Sequence, residues 1–383
     1  MSRFIWEDPD WPHLVWDPAR TLPALDAARR EQSRFLGQSD GLSFEQRLEI
    51  IVRAATDSAT ETSAIEGEIL NPASVYSSVV RRLGIETTPL QDDRTEGVVS
   101  MTLDASRTFN QPLTADRLFR WHAELFPLTP GTPPGLTIAN WRSPSSDPMQ
   151  VLSRPVGRAR VHFEAPPSAE VPAMIAQFLE WFNASREKEN GIVRAALAHL
   201  WFLTIHPFDD GNGRIARAIA DLALAQDERS SDRFYSVSAQ IHAERRDYYD
   251  AIERAQRGAL DVTEWVVWFL GCLTRAIDSS QDIVARARRG VLFWQRHANV
   301  DLNQRQRKVL TRLLGDFAGD LDLRKYMALA KTSRATAQRE LAELVEHDIL
   351  KTEGNARATK YLLASDLFSA RDPNHAIART NFP

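Results

Sequence analysis

The stretch that most constrains this chain runs from Ala195 to Arg217. Ala195–Ile205 (AALAHLWFLTI) is almost wholly apolar and built from strong helix formers, and Ile215, Ile219 and Leu222 resume at helical spacing further on. Between them stands His206-Pro207-Phe208-Asp209-Asp210-Gly211-Asn212-Gly213, followed by Arg214-Ile215-Ala216-Arg217. The pattern predicts helix, tight loop, helix. The loop chemistry suits a nucleoside triphosphate. An imidazole titrates near neutral pH and can take a proton from a hydroxyl. A carboxylate such as Asp210 can share Mg²⁺ with substrate phosphates. Gly211 and Gly213 let backbone N–H groups approach phosphate oxygens. A helix opening near Gly213 adds its unpaired N–H groups and dipole, with Arg214 and Arg217 on one face of the first turn.

Taken in this order and spacing, the run resembles the signature of the Fic family, His-Pro-Phe-x-(Asp/Glu)-Gly-Asn-Gly-Arg-x-x-Arg, and every fixed position is present. The resemblance covers roughly residues 45–280. It implies a mainly α fold, a Fic-type helical bundle with a β-hairpin flap, and transfer of AMP from ATP to a hydroxyl side chain (Ser, Thr or Tyr) of a target protein or of the chain itself. It also implies the roles. His206 is the general base, and Asp210 ligates Mg²⁺ across the α- and β-phosphates. Gly211, Asn212 and Gly213 form the anion nest, Arg214 neutralises the leaving pyrophosphate, and Arg217 reaches toward the γ-phosphate. Phe208 anchors the loop. Asp210, where many members carry glutamate, leaves the nucleotide donor open.

Upstream, Thr62-Ser63-Ala64-Ile65-Glu66-Gly67 fits the family's inhibitory motif, (Ser/Thr)-x-x-x-Glu-(Gly/Asn). The resemblance implies a helix over about 48–67 whose Glu66 pairs with Arg217 and holds ATP in an unproductive pose, an intramolecular brake. A plainer reading is a helix end capped by Gly67. Met149–Pro167 reads as a hairpin, with strand-like runs Met149–Ser153 and Ala159–Phe163 about a Pro155-Val156-Gly157 turn. In the family such a flap pins the target segment backbone to backbone. Arg245–Asp250 opens an amphipathic helix; the resemblance implies Tyr248 or Tyr249 in the adenine pocket, and the plainer reading is a tyrosine packed in the core. His199, two helical turns before His206, lacks the partners of a metal site and is expected to be a core histidine.

The bulk properties are those of a soluble globular protein, with 43% hydrophobic and 26% charged residues, a net charge of −4 and one cysteine, Cys272, in an apolar run. No global basic field is present. One cysteine excludes an internal disulfide and fits a cytoplasmic setting. The first residues lack signal-peptide form, and no apolar run reaches spanning length. Four segments are expected. Residues 1–44, with Trp6, Trp11 and Trp16, form an extension packing on the core, similar to one found on some bacterial Fic proteins. Residues 45–290 form the catalytic domain, and 365–383 a polar tail.

Residues 302–364 resemble a winged helix-turn-helix, a small α+β domain. Helices are expected at Asn303–Leu314, Leu323–Leu329 and Arg334–His347, then a wing from Leu350–Glu353 and Lys360–Leu363 around Gly354. Arg334, Thr336, Gln338 and Arg339, near the start of the third helix, are candidate DNA contacts. Arg324–Lys360 carries eight Lys/Arg against five Asp/Glu, a mild excess, and such modules also bind proteins or form a homodimer. Two functional classes stay open. One is an autoinhibited protein adenylyltransferase using Mg²⁺ and ATP. The other is a DNA-binding regulator or toxin–antitoxin component that modifies itself, with a different nucleotide donor or AMP removal as variants of the chemistry.

Overall fold

A computed structural model of the chain describes residues 4–39, 41–85, 92–128, 135–143, 148–153, 160–314, 317, 320–354 and 359–364. The expected hairpin turn Pro155-Val156-Gly157, Ala159 and the tail Ser365–Pro383 lie outside these residues. The chain divides into two compact units, Met1–Gly37 with Arg47–Ser280, and Gln38–Gln46 with Gln281–Pro383. Along the chain run α1 (Pro18–Ser39), α2 (Phe44–Ile65), α3 (Pro72–Arg82), α4 (Asp93–Arg107) and α5 (Ala115–Leu125). Strands β1 (Gln150–Ser153) and β2 (Arg160–Glu164) precede α6 (Val171–Ala184), α7 (Gly191–Ile205), α8 (Asn212–Glu228), α9 (Val237–Ala243), α10 (Arg245–Gln256) and α11 (Thr263–Arg296). The fold is mainly α, as the sequence led us to expect.

The first unit is organised on α7. Every residue of this helix is buried, which is why its sequence shows no polar stripe: a helix apolar all round must be covered all round. Asn190 caps it, its side chain accepting from Ile192 N and Val193 N. Its main neighbour is α8. The one charge on α7, Arg194, is satisfied inside the core by Gln226 Oε1 at 2.7 Å, Phe182 O at 2.9 Å and Ser185 Oγ at 3.1 Å. The N-terminal segment is tied to the same body. Val15 N donates to Leu260 O at 2.9 Å and Val262 N to Val15 O at 2.8 Å, while Trp11 meets Trp201 edge-on at 6.1 Å. Cys272 is buried.

β1 and β2 pair antiparallel, with Gln150 opposite Glu164, Val151 opposite Phe163 and a bulge that leaves His162 extra on β2. In the second unit, α12 (Gln304–Leu314), α13 (Leu323–Ala330) and α14 (Arg334–Glu346) are followed by the antiparallel pair β3 (Leu350–Glu353) and β4 (Lys360–Leu363). Val309, Leu310, Tyr326, Leu341, Leu344 and Ile349 form its core. Glu340, buried there, accepts from Tyr326 Oη at 2.9 Å and Arg305 Nε at 2.9 Å. Among the described residues no helix is long and apolar enough to cross a membrane.

Candidate active site

The loop after α7 begins with a backbone reversal at His206, whose φ of 50° ends the helix. Its N–H still bonds Phe202 O at 3.1 Å, and its ring Nδ1 lies 3.4 Å from Leu203 O. The tautomer that satisfies this contact carries its proton on Nδ1 and leaves Nε2 basic. Burial pushes the imidazole down to about 4, so it is uncharged at neutral pH. Phe208 is fully buried, stacked on His122 at 4.2 Å and packed against Trp141 at 5.2 Å. Asn212 then closes the loop on itself: its Oδ1 accepts from Phe208 N at 3.0 Å and its Nδ2 donates to Phe208 O at 2.8 Å. The side chain of Asn212 is therefore committed to bracing the loop.

Gly211 has φ of 81° and is the N-cap of α8. A Cβ there would meet the Phe126 ring as well as the strained φ, so both sterics and backbone demand glycine. At Gly213 a Cβ would overlap Glu66 Oε1. Asp210 is half exposed and accepts from Gly211 N at 2.6 Å, 3.9 Å from Arg214. A carboxylate so exposed, beside unpaired helix-terminal N–H groups, fits a divalent cation shared with phosphate oxygens.

The two arginines are buried and each is held by a carboxylate. Arg217 donates through Nε to Thr62 Oγ1 at 2.7 Å, and through Nη2 to Thr62 O at 2.9 Å and Glu66 Oε1 at 2.7 Å. Arg214 donates to Glu68 Oε2 at 2.8 Å, with its guanidinium 5.0 Å over the Phe126 ring. Glu68 in turn reaches Arg94 on α4 at 3.3 Å. Each arginine still keeps one buried N–H without a partner among the described residues, Arg214 Nε and Arg217 Nη1. Such donors are expensive to leave unmade unless a ligand takes them.

The end of α2 explains how both carboxylates arrive. Gly67 N donates to Ala64 O and Glu68 N to Ser63 O, with Gly67 at φ 86°: a Schellman motif. The reversal aims Glu66 and Glu68 together at the first turn of α8. Tyr249 Oη donates to Ile65 O at 3.2 Å and pins the same helix end. A cleft of about 510 Å³ opens beside it, lined by Glu66, His206, Gly213, Phe163, Tyr248 and Tyr249 among others. Tyr248 is nearly fully buried and bonds His199 Nε2 at 2.9 Å, so His199 sits in the core with a satisfied ring nitrogen.

The structure therefore brings together His206, Asp210–Arg214, Arg217, Thr62, Glu66, Gly67, Tyr248 and Tyr249, while Arg334, Thr336, Gln338 and Arg339 belong to the other unit. Two residues here escaped the sequence reading. Glu68 follows the motif that drew attention to Glu66, and only the Schellman geometry turns it inward. Buried Arg142 ties the loop down, with Nε donating to His206 O at 2.9 Å, N to Pro207 O at 2.9 Å and Nη2 to Pro166 O. Its position after Trp141 was visible, but nothing local announces a strap 64 residues long.

An uncharged imidazole, a glycine-rich helix N-terminus and two buried arginines are groups that can hold phosphate. In comparison with known proteins, residues 112–224 match the Fic/DOC family, and residues 4–85 match a domain of unknown function (DUF4172). Over residues 112–224 the chain is thus similar to the Fic/DOC family. It is 31% identical over 103 residues to a probable protein adenylyltransferase of Aquifex aeolicus, covering 27% of this chain and 29% of that protein. It is 31% identical over 114 residues to the protein adenylyltransferase Fic of Culex quinquefasciatus, covering 30% and 21%. The match thus spans less than a third of either relative. A crystal structure of a Fic family protein from Desulfovibrio desulfuricans G20 shares the fold, with a TM-score of 0.51 at 21% identity over 89% of this chain and 96% of that one.

Proposed function

We propose that this chain is a Mg²⁺-dependent protein adenylyltransferase held in check by its own α2. One observation carries the reading: His206, Gly213 at the start of α8 and Glu66 line one cleft, and Glu66 is bonded to buried Arg217 behind it. The hydroxyl oxygen of an acceptor side chain attacks the α-phosphorus of ATP, its proton passes to His206 Nε2, and the bond to pyrophosphate breaks. Backbone N–H groups of residues 211–213 and the guanidinium groups of Arg214 and Arg217 stabilise the developing charge. Mg²⁺, when bound through Asp210 and the phosphates, supplies further charge neutralisation there. Tyr249 and Tyr248 line the cleft where the adenine would lie.

Support for the brake comes from the carboxylates. Glu66 satisfies Arg217 and Glu68 satisfies Arg214, so ATP must displace anions already bound to both arginines. The relatives named above carry the name protein adenylyltransferase, which fits this activity. Incubating Glu66→Gly protein with Mg²⁺ and α-labelled ATP tests the reading: label on protein is expected. Label from another nucleotide only would replace the donor, and release of AMP from pre-labelled protein without transfer would reverse the reaction.

A second reading concerns the other unit. Three helices and a hairpin follow in the order expected of a winged helix-turn-helix, and Arg334, Gln338 and Arg339 are exposed on the first half of α14. We infer that this face contacts DNA phosphates and base edges. Loss of binding to mixed-sequence duplex DNA in Arg334→Ala/Arg339→Ala, with labelling intact, is expected. A wild type that binds no DNA at low salt would retire the idea in favour of a protein-binding or dimerising role.

A further inference from the structure

We propose that Phe4 and Trp6 are positioning residues for the β1–β2 hairpin as the receiver of the acceptor protein. This rests on the transferase reading above. A two-stranded hairpin is marginal alone and must be held by something else. Here much of the hold comes from a 3₁₀ turn at Ile5–Glu7 and the residue before it. The Phe4 ring meets Phe163 of β2 edge-on at 5.3 Å, and both are buried. Trp6 and Met149 pack against the same cluster, which includes Ala165. Trp6 Nε1 donates to Glu164 O at 2.7 Å.

From α10 and just beyond it come the remaining ties. Arg257 Nε donates to His162 O at 3.0 Å and Arg257 Nη2 to Val161 O. Glu253 meets His162 Nδ1 at 2.6 Å. The Arg257 guanidinium lies 5.5 Å over the Phe4 ring. Phe4 is thus the common point: it touches the strand through Phe163 and steadies the arginine that caps the strand. The carbonyls of Val161, His162 and Glu164 all accept from side chains, so the outer edge of β2 is closed. Among the described residues, β1 is the edge left for an added strand. An extended acceptor segment pairing there takes its register from a hairpin fixed by Phe4 and Trp6.

Neither residue lines the cleft that contains His206, Gly213 and the two tyrosines. Val151, His162 and Phe163 of the hairpin do reach that cleft, but Phe4 and Trp6 hold the hairpin from outside it, so loosening it should misplace the acceptor hydroxyl more than the nucleotide. Misplacement by about 1 Å can lower a rate by about a hundredfold. The first residues of the region matched by the domain of unknown function acquire a role in this way.

The test uses the full chain carrying Glu66→Gly, with Mg²⁺ and α-labelled ATP, and follows two products: label on protein, and free AMP from transfer to water. Phe4→Ala and Trp6→Ala are expected to lower protein label about tenfold or more and leave AMP release within about a factor of two, with Phe4→Leu restoring most of the label. Amide hydrogen exchange at residues 150–153 and 160–164 should quicken in Trp6→Ala at an unchanged thermal midpoint. Both products falling together, or label unchanged, overturns the proposal. A Glu66→Gly protein that forms neither product sinks the transferase reading instead, and unchanged exchange at the hairpin then overturns this proposal independently.

Discussion

Replacing Glu66 by glycine should raise productive ATP binding by roughly one order of magnitude. The contact to be removed is a charge-assisted hydrogen bond, Arg217 Nη2 to Glu66 Oε1 at 2.7 Å. Hydrogen bonds to charged groups contribute about 1.5–3 kcal/mol, and about 1.4 kcal/mol is a factor of ten in affinity. The bracket is therefore about tenfold to about a hundredfold. The Glu66 side chain is 32% exposed, so solvent screening places the expectation near the lower end. Arg217 is not stranded by the change, because both of its bonds to Thr62 persist. Glycine at 66 also leaves the Schellman reversal at Gly67 intact, so the helix end should not unravel. Titration calorimetry with an α,β-methylene ATP analogue and Mg²⁺ reads the affinity directly, without turnover. A change smaller than about twofold would refute the assignment of Glu66 as a competitor for the phosphate site.

Three further outcomes follow from the geometry. Glu68→Gln in the Glu66→Gly background should tighten the same analogue by about threefold to tenfold, since it releases Arg214. Weaker binding would instead make Glu68 a support that holds Arg214 in place. Gly211→Ala should lower stability by about 2 kcal/mol or more, combining the left-handed backbone with collision against Phe126; a thermal midpoint within about 1 °C of wild type would contradict this. Stability should also fall on mild acidification. Burial lowers His122 to about 4 and His199 to about 3, while an unfolded chain has ordinary histidines near 6.5. Protons are thus taken up on unfolding across this window, so the contribution is present above about pH 6.5 and is lost as pH falls toward 4. Between pH 7 and pH 5 the loss is on the order of 2 kcal/mol per histidine. A thermal midpoint flat over that range would count against it.

How much of this was legible beforehand depended on distance along the chain. The loop from His206 to Arg217 is contiguous, so its residues and their order carry the chemistry on their face. The mostly apolar run Ala195–Ile205 declared itself helical for the same reason. Glu66 and Arg217 are 151 residues apart, and no spacing joins them; a known motif did. Where no motif existed, the contact stayed hidden. Glu68 looked like any polar residue after a helix cap, and Arg142 like any basic residue after a tryptophan. Trp6 offered only its type, because what matters is a bond to Glu164 O formed 158 residues away. Tyr248 and Tyr249 show a subtler limit. Both line the cleft, yet as neighbours on one helix they point about a third of a turn apart and bond different partners. Tyr248 bonds His199 in the core, whereas the exposed Tyr249 pins α2.

The central claim is that His206 takes the proton during transfer of AMP and that Glu66 restrains it. Comparing wild type, Glu66→Gly and Glu66→Gly/His206→Ala with Mg²⁺ and α-labelled ATP tests it most directly. Label on protein is predicted to be strong in Glu66→Gly, weak in wild type and absent in the double mutant, with analogue affinity preserved in the last. Equal labelling of the double mutant and Glu66→Gly would contradict the account.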